Sequence, residues 1–313
     1  MRISIKTLVT SPITKVFVLG TLLSFQSHFT RAHDLHLVEG ASSSKPSNAV
    51  QRSNSNANDA LASATYLANE GIMVESGGVK ILFDPFFHND YGSYQLVPEK
   101  ILSAIKQNEA PYHDIDIVFI SHAHGDHFAA QDMLDYLVTF DSVSLVAPQQ
   151  AIDEMAKLAN FEKAKLSLSA RIRAISLAYR DAPISFNIDN VNIDAVRIPH
   201  AGWPGRADVS NIVYRVTLPL AEASSTYIHM GDADPNDSHF RPLAEFWQQQ
   251  KTDLAFPPYW FFLSHEGNYV LDYRINTQRS VGVHVPIKIP QTLLNSGKAY
   301  FSTPGEVLKV SPP

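Results

Sequence analysis

Three histidines and an aspartate fall within six consecutive residues of the stretch "FISHAHGDHF": His122, His124, Asp126 and His127. Imidazole nitrogens and carboxylate oxygens are the donors favoured by zinc and neighbouring first-row metals, so this one stretch offers up to four ligands. His122 and His124 are two apart and project to the same side of an extended segment. Gly125 then lets the chain turn and present Asp126 and His127 as a second pair. A polar loop that is merely rich in histidine is the competing reading, because the chain has 13 histidines and several must serve elsewhere.

One metal needs at least three protein ligands and two metals need more, so the metal reading requires His or Asp at other strand ends. Three positions meet that demand: His200 in "RIPHAGWPG", Asp232 in "IHMGDAD" and His284 in "VGVHVPIK". The chain has no cysteine. No thiolate is therefore present as ligand or nucleophile, and no disulfide staples the fold.

The elements that must position these residues are short apolar runs. Residues 66–74, 79–83 and 115–120 read as strands rich in Ile, Val and Phe, and the histidine stretch follows the last of them on a loop at a sheet edge. Residues 131–140 and 149–159 read as helices. Strands are expected at 143–146, 171–177, 184–188, 191–198, 212–218 and 226–230, a helix at 242–250, a strand at 254–256, and a final strand at 281–285 carrying His284. Mixed strands with helices between them indicate an α/β or α+β layered domain.

The ordered set HxHxDH, a distant His, an Asp after Gly and a late His resembles the metallo-β-lactamase-fold hydrolase superfamily. The resemblance covers roughly residues 65–290, since "VKILFDPFF" is also similar to the strand and Asp-Pro turn that precede the metal loop in that family. It implies an α+β fold, an αββα four-layer sandwich of two mixed sheets flanked by helices. It implies that His122, His124 and His200 hold a first metal, that Asp126, His127 and His284 hold a second, and that Asp232 bridges them. The implied cofactor is zinc, two per chain, with manganese or iron as substitutes. Asp84 either closes a Pro-directed turn or, as the resemblance implies, supports the metal loop from behind and fixes imidazole orientation. His229 reads as a core or supporting residue.

Two such metals would acidify a shared water, with Asp126 the natural proton acceptor, and the expected chemistry is hydrolysis of an ester, lactone or phosphodiester. True metallo-β-lactamases use a cysteine ligand or lack the bridging aspartate, so β-lactam hydrolysis is disfavoured. The closest likeness is to the lactonase- and phospholipase-like branch, although Asn69-Glu70-Gly71 stands where many of that branch carry a turn histidine. A di-iron oxidoreductase and a non-catalytic metal-binding protein are the alternatives. Phe86, His88, Tyr91, Trp203 and Tyr259 are candidates for the substrate wall, set against their more ordinary use in packing.

With 313 residues, 45% hydrophobic and 18% charged, the chain lies outside the disordered class. A formal net charge of −6 offers no basic stripe for a phosphate backbone, so a small molecule is the expected partner and a nucleic acid is not. Residues 1–32 read as an export signal: Arg2, Lys6 and Lys15 precede an apolar run at 16–25, too short to span a bilayer, and Ala32 offers a small cleavage residue. Residues 33–64 read as a flexible Ser/Asn-rich spacer and 65–313 as the hydrolase domain. The expectation is a periplasmic or secreted protein with no stable membrane insertion once the signal is removed.

Overall fold

The computed structural model describes residues 62–221 and 223–310. The first half comprises β1 (Ala62–Ala68), β2 (Gly71–Ser76), β3 (Val79–Phe83), α1 (Glu99–Lys106), β4 (Ile117–Phe119), α2 (Ala130–Thr139), β5 (Ser144–Pro148), α3 (Gln149–Ala156), α4 (Phe161–Leu168) and β6 (Ile172–Ile175). The second half comprises β7 (Ile184–Ile188), β8 (Val191–Arg197), β9 (Ile212–Leu220), β10 (Ala223–His229), α5 (Asp237–Phe240), α6 (Ala244–Gln248), β11 (Leu254–Phe256), α7 (His265–Tyr269), α8 (Gln291–Leu294) and β12 (Val307–Val310).

These strands form a seven-stranded sheet, β12-β1-β2-β3-β4-β5-β6, and a five-stranded sheet, β11-β10-β9-β8-β7. Alternation along each strand decides which layer a side chain enters. In β4, Ile117 and Phe119 point between the sheets, where they join Phe83, Tyr214 and Phe256. Val118 points the other way and packs with Leu82 and Leu145 against Leu134 and Leu137 of α2. On the second sheet, Val196, Val213 and Ile228 pack with Phe240 and Trp247 of the helical segment beyond. Three apolar cores thus separate four layers, helix, sheet, sheet and helix. Each fully buried Leu, Val or Phe contributes about 1.5–3 kcal/mol, so the strands are fixed by burial on both faces.

The topology brings the ends of several strands to one edge. β8 and β10 each pair antiparallel with β9, so they run in the same direction, and their C-terminal ends lead to His200 and Asp232. The end of β4 joins them because the sheets are stitched at that point. The Tyr214 hydroxyl donates to the Ile120 carbonyl at 2.9 Å, and the Ile212 N–H donates to the Ser121 carbonyl at 2.9 Å.

The structure departs from the expected elements in four places. Residues 66–74 are not one strand: Asn69, at φ 48°, breaks them into the β1–β2 hairpin. Residues 281–285 form no strand but make single bridges, Gly282 to Tyr300 and Val283 to Pro258, and His284, at φ 57°, turns the backbone out of extended geometry. The sheet-forming strand near the C-terminal end is β12, which pairs with β1. β1 begins at Ala62, three residues before the expected boundary at 65. The expected export signal and the spacer up to residue 61 lie outside the described residues. Among the described residues no helix is long and apolar enough to cross a membrane.

Candidate metal centre

The loop after β4 carries His122, His124, Asp126 and His127, and the loops after β8 and β10 carry His200 and Asp232. His122, His124, His200 and Asp232 each offer a donor atom within 4.8 Å of the others, as do His127, Asp232 and His284, and His122, Asp126 and His127. His124 Nδ1 lies 3.0 Å from His122 Nε2 and 3.2 Å from His200 Nε2. Asp232 divides its oxygens between two groups: Oδ2 is 3.2 Å from His200 Nε2, whereas Oδ1 is 3.3 Å from His127 Nε2 and 3.2 Å from His284 Nε2. Asp126 Oδ2 completes the second group, 3.4 Å from His284 Nε2 and 3.6 Å from His127 Nε2. Donors bonded to one tetrahedral zinc at about 2.0–2.1 Å would stand roughly 3.3–3.4 Å apart, so these spacings match the edges of coordination polyhedra.

The hydrogen-bond inventory supports the same fit. Asp126 Oδ1, His127 Nε2, Asp232 Oδ1 and His284 Nε2 are buried and have no hydrogen-bond partner. Each such atom costs about 1–3 kcal/mol if nothing satisfies it. Three of them, on His127, Asp232 and His284, fall within one group of possible metal donors and fit a bound cation.

Local chemistry fixes the rings. His200 Nδ1 donates to the Ala201 carbonyl at 2.7 Å, leaving Nε2 as the free donor. His127 Nδ1 donates to Asp84 Oδ2 at 2.9 Å, which likewise exposes its Nε2. Asp84 also accepts from the Ser121 N–H at 2.7 Å and from the Ser121 hydroxyl. Its φ of 41° is a left-handed conformation that costs on the order of 1–3 kcal/mol. Hydrogen bonds to a charged group contribute about 1.5–3 kcal/mol each, so its three bonds outweigh that strain. Asp84 thereby holds the loop after β4 at Ser121 and His127.

Sequence reasoning missed several supports. Asn211 accepts from the Asp232 N–H at 3.0 Å and donates to the carbonyls of Ile198 and Met230, tying the His200 and Asp232 loops together. Gly231 (φ 50°) is required beside it, since a Cβ there would lie 2.5 Å from Asn211 Oδ1 and 2.6 Å from Ser121 Cβ. Asn69 Nδ2 donates to the Asp126 carbonyl at 2.9 Å, and the Asn69 carbonyl accepts from the His284 N–H at 2.9 Å. Next to it, fully buried Glu70 lies 3.1 Å from His229 Nε2, whose ring stacks on Phe83. Gly125 acts differently from expectation: it has no positive φ, and its missing side chain admits Asn89, whose Cβ would lie 3.2 Å from an added one.

The two groups differ electrostatically. Burial holds His122 well below the ordinary imidazole value and lowers His124 as well, keeping both neutral. Burial also acts to lower His127 and His284, but the charge of Asp232 outweighs it, and both are raised. Burial pushes Asp232 up, yet His284 and His127 overcome that and hold it well below the usual carboxylate range. Burial pushes the Glu70 carboxyl up to about 7 despite His229 beside it.

A cavity of about 610 Å³ opens onto the donors and is lined on its other sides by Tyr91, Tyr94, Arg206 and Trp260. Tyr94 and Trp260 pack against the His284 ring, at 4.1 and 5.2 Å between centroids. Burial pushes the Tyr94 phenol up to about 12, so it keeps its proton. Of the expected wall residues, Tyr91 lines this cavity. Phe86 is instead a core residue against Tyr136, and His88 pairs with Asp132 at 2.9 Å. Trp203 packs on Tyr179. Tyr259 sits beside Trp260, the next residue of the same aromatic run, which does reach the cavity.

A family model described as the β-lactamase superfamily domain matches residues 63–246, more than half of the chain. The chain belongs to this superfamily. Two solved structures share its architecture. Igni18, a metallo hydrolase from the archaeon Ignicoccus hospitalis, aligns over 80% of this chain and 98% of its own, at 16% identity and a TM-score of 0.51. A protein from Veillonella parvula described as a possible metal-dependent hydrolase aligns over 79% and 99%, at 12% identity and a TM-score of 0.51. No curated protein matches the chain in sequence. The two mixed sheets flanked by helices are the metallo-β-lactamase fold, and membership places this superfamily chain among metal-dependent hydrolases.

Proposed function

We infer that the protein is an exported, dinuclear zinc hydrolase that cleaves an ester, lactone or phosphodiester bond of a small molecule. The observation that carries this reading is the division of Asp232, with one oxygen toward His200 and the other toward His127 and His284. His122, His124 and His200 would hold one cation and Asp126, His127 and His284 the other, with Asp232 between them. When bound, the metals supply an acidified water and a Lewis acid for the substrate oxygen. Zinc suits the all-nitrogen-and-oxygen donor set, and manganese or iron would also be accepted.

The remaining steps belong to the chain. Asp126 takes the proton of the attacking water on Oδ1, which has no other partner, and returns it to the leaving group. Asn69 holds the Asp126 main chain during this exchange. Tyr94, protonated at neutral pH, is placed to donate to the substrate, and Trp260 gives it an apolar wall. The shared Asp232 and the absence of cysteine favour the lactonase- and phospholipase-like branch over β-lactam hydrolysis. The apolar run at 16–25 favours export to the periplasm or medium.

The test is a panel of lactone, aryl ester, aryl phosphodiester and β-lactam presented to zinc-loaded protein, with Asp126→Ala as control. Turnover of one of the first three, lost in a variant that still melts like the wild type, is expected. Turnover of the β-lactam alone, or full activity in Asp126→Ala, would overturn the assignment.

A further inference from the structure

The cavity over the donor cluster contains one cationic side chain, Arg206, among the described residues that line it. Four other arginines among the described residues are engaged by hydrogen bonds or ion pairs. Arg171 donates to the carbonyls of Leu137, Phe140 and Val143, Arg197 to those of Leu177 and Ala207, Arg215 pairs with Asp194, and Arg274 pairs with Asp237. The Arg206 guanidinium has no hydrogen-bond or ion-pair partner among the described residues, although its main chain is firmly held. The Arg206 carbonyl accepts from the Val209 N–H at 3.1 Å, Arg197 grips the next residue, Ala207, at 3.0 Å, and Gln150 donates to the Asp208 carbonyl at 2.6 Å. The side chain lies along Gly202, where a Cβ would stand 3.7–3.8 Å from its Cγ, Cδ and Nε. A fixed backbone thus presents an unengaged planar cation to the space above the donors.

Charge points to what that cation receives. On the dinuclear reading of the site, on which this inference rests, two dications outweigh the carboxylates of Asp126 and Asp232, so the cavity attracts anions. A guanidinium matches carboxylate or phosphate oxygens two at a time, a recognition that a neutral ester cannot use. We propose that Arg206 sets the specificity of the cavity, and that the substrate is an organic anion whose carboxylate or phosphate is held by Arg206 while its scissile bond lies against the donor cluster.

The experiment uses the full chain loaded with zinc, as wild type, Arg206→Lys and Arg206→Ala. Three 4-nitrophenyl esters share a leaving group: a butyrate, a glutarate hemiester with a free carboxylate, and a phosphonobutyrate. Arg206→Ala is expected to lower kcat/KM at least tenfold for one or both charged esters, chiefly through KM, and to leave the butyrate within about twofold. Arg206→Lys should fall between, because a point charge replaces a fork. Whichever charged ester loses more identifies the anion. Calorimetric binding of glutarate and of phosphonobutyrate, which needs no turnover, should weaken at least tenfold in Arg206→Ala. Equal losses on charged and neutral esters, or unchanged anion binding, would overturn the role of Arg206. Failure of wild type to hydrolyse any ester would instead count against the hydrolase reading, and calorimetry would still decide Arg206.

Discussion

The two donor groups that share Asp232 are built on different physical principles. In the first group, that of His122, His124 and His200, burial keeps His122 and His124 uncharged, and main-chain bonds such as Ala201 N–H to the Asp232 carbonyl lace the loops that carry His200 and Asp232 together. Asp126, His127 and His284 form a carboxylate-paired receptor, in which Asp232 raises both imidazoles and Asp84 raises His127 as well. His122 and His124 are ready for a cation as they stand. The second must exchange protons for one.

Removing the residue common to both groups should erase that difference. Asp232→Ala is expected to leave fewer than two zinc ions per chain, and to lower turnover by more than the roughly 10–100-fold typical of losing an outer partner. Elemental analysis and kinetics on the same sample check it, and two retained zincs would break the comparison.

Asp84→Ala sharpens it, because Asp84 reaches the second group through His127. About 10–100-fold weaker binding of one zinc is expected, with the other unchanged, in a stepwise metal titration. Equal weakening of both would show that Asp84 supports the loop as a whole.

The pH dependence carries a definite sign. In the metal-free protein, the raised His127 and His284 contribute stability that is complete below about 6.5, the ordinary imidazole value, and is lost as pH rises through their folded values. Metal must displace those protons, so affinity at the second group falls as pH falls. Acidification of the loaded protein should therefore release one zinc before the other, with each zinc that enters the second group at neutral pH releasing protons. Simultaneous release of both would remove the distinction.

The smallest effect is expected at Glu70, which pairs with His229 and lies beside Asn69, the residue that bonds Asp126 and His284. Glu70→Gln keeps the shape of this turn and should retain two zincs, with activity within about tenfold and a stability change near 1 kcal/mol, read from thermal melting. Loss of a metal would make this turn part of the coordination itself.

The residues that cluster at the candidate site are legible in the sequence because His and Asp recur at short, ordered spacings, and because His200 and Asp232 follow clear β-runs. His284 was recognised by type and misplaced in element: a left-handed residue on a bridged loop looks, in sequence, like part of the apolar strand around it. The supports were harder. Asn211 sits in "SNIV" with no local signal, and its value comes from reaching three main-chain groups on two other loops. Phe86 and Trp203 show the opposite error, since nearness in sequence to a ligand said nothing about which face of the loop an aromatic ring would take. Asn69 and Glu70 depart from the turn of the family branch, but only the fold shows that Asn69 holds both Asp126 and His284.

Native mass spectrometry of the chain titrated with zinc decides whether the two donor groups bind separate metals. Two sequential additions are expected, the second steeply weakened between pH 8 and pH 6 and the first much less so. A single zinc per chain at saturation, or two whose binding changes alike with pH, would contradict that expectation.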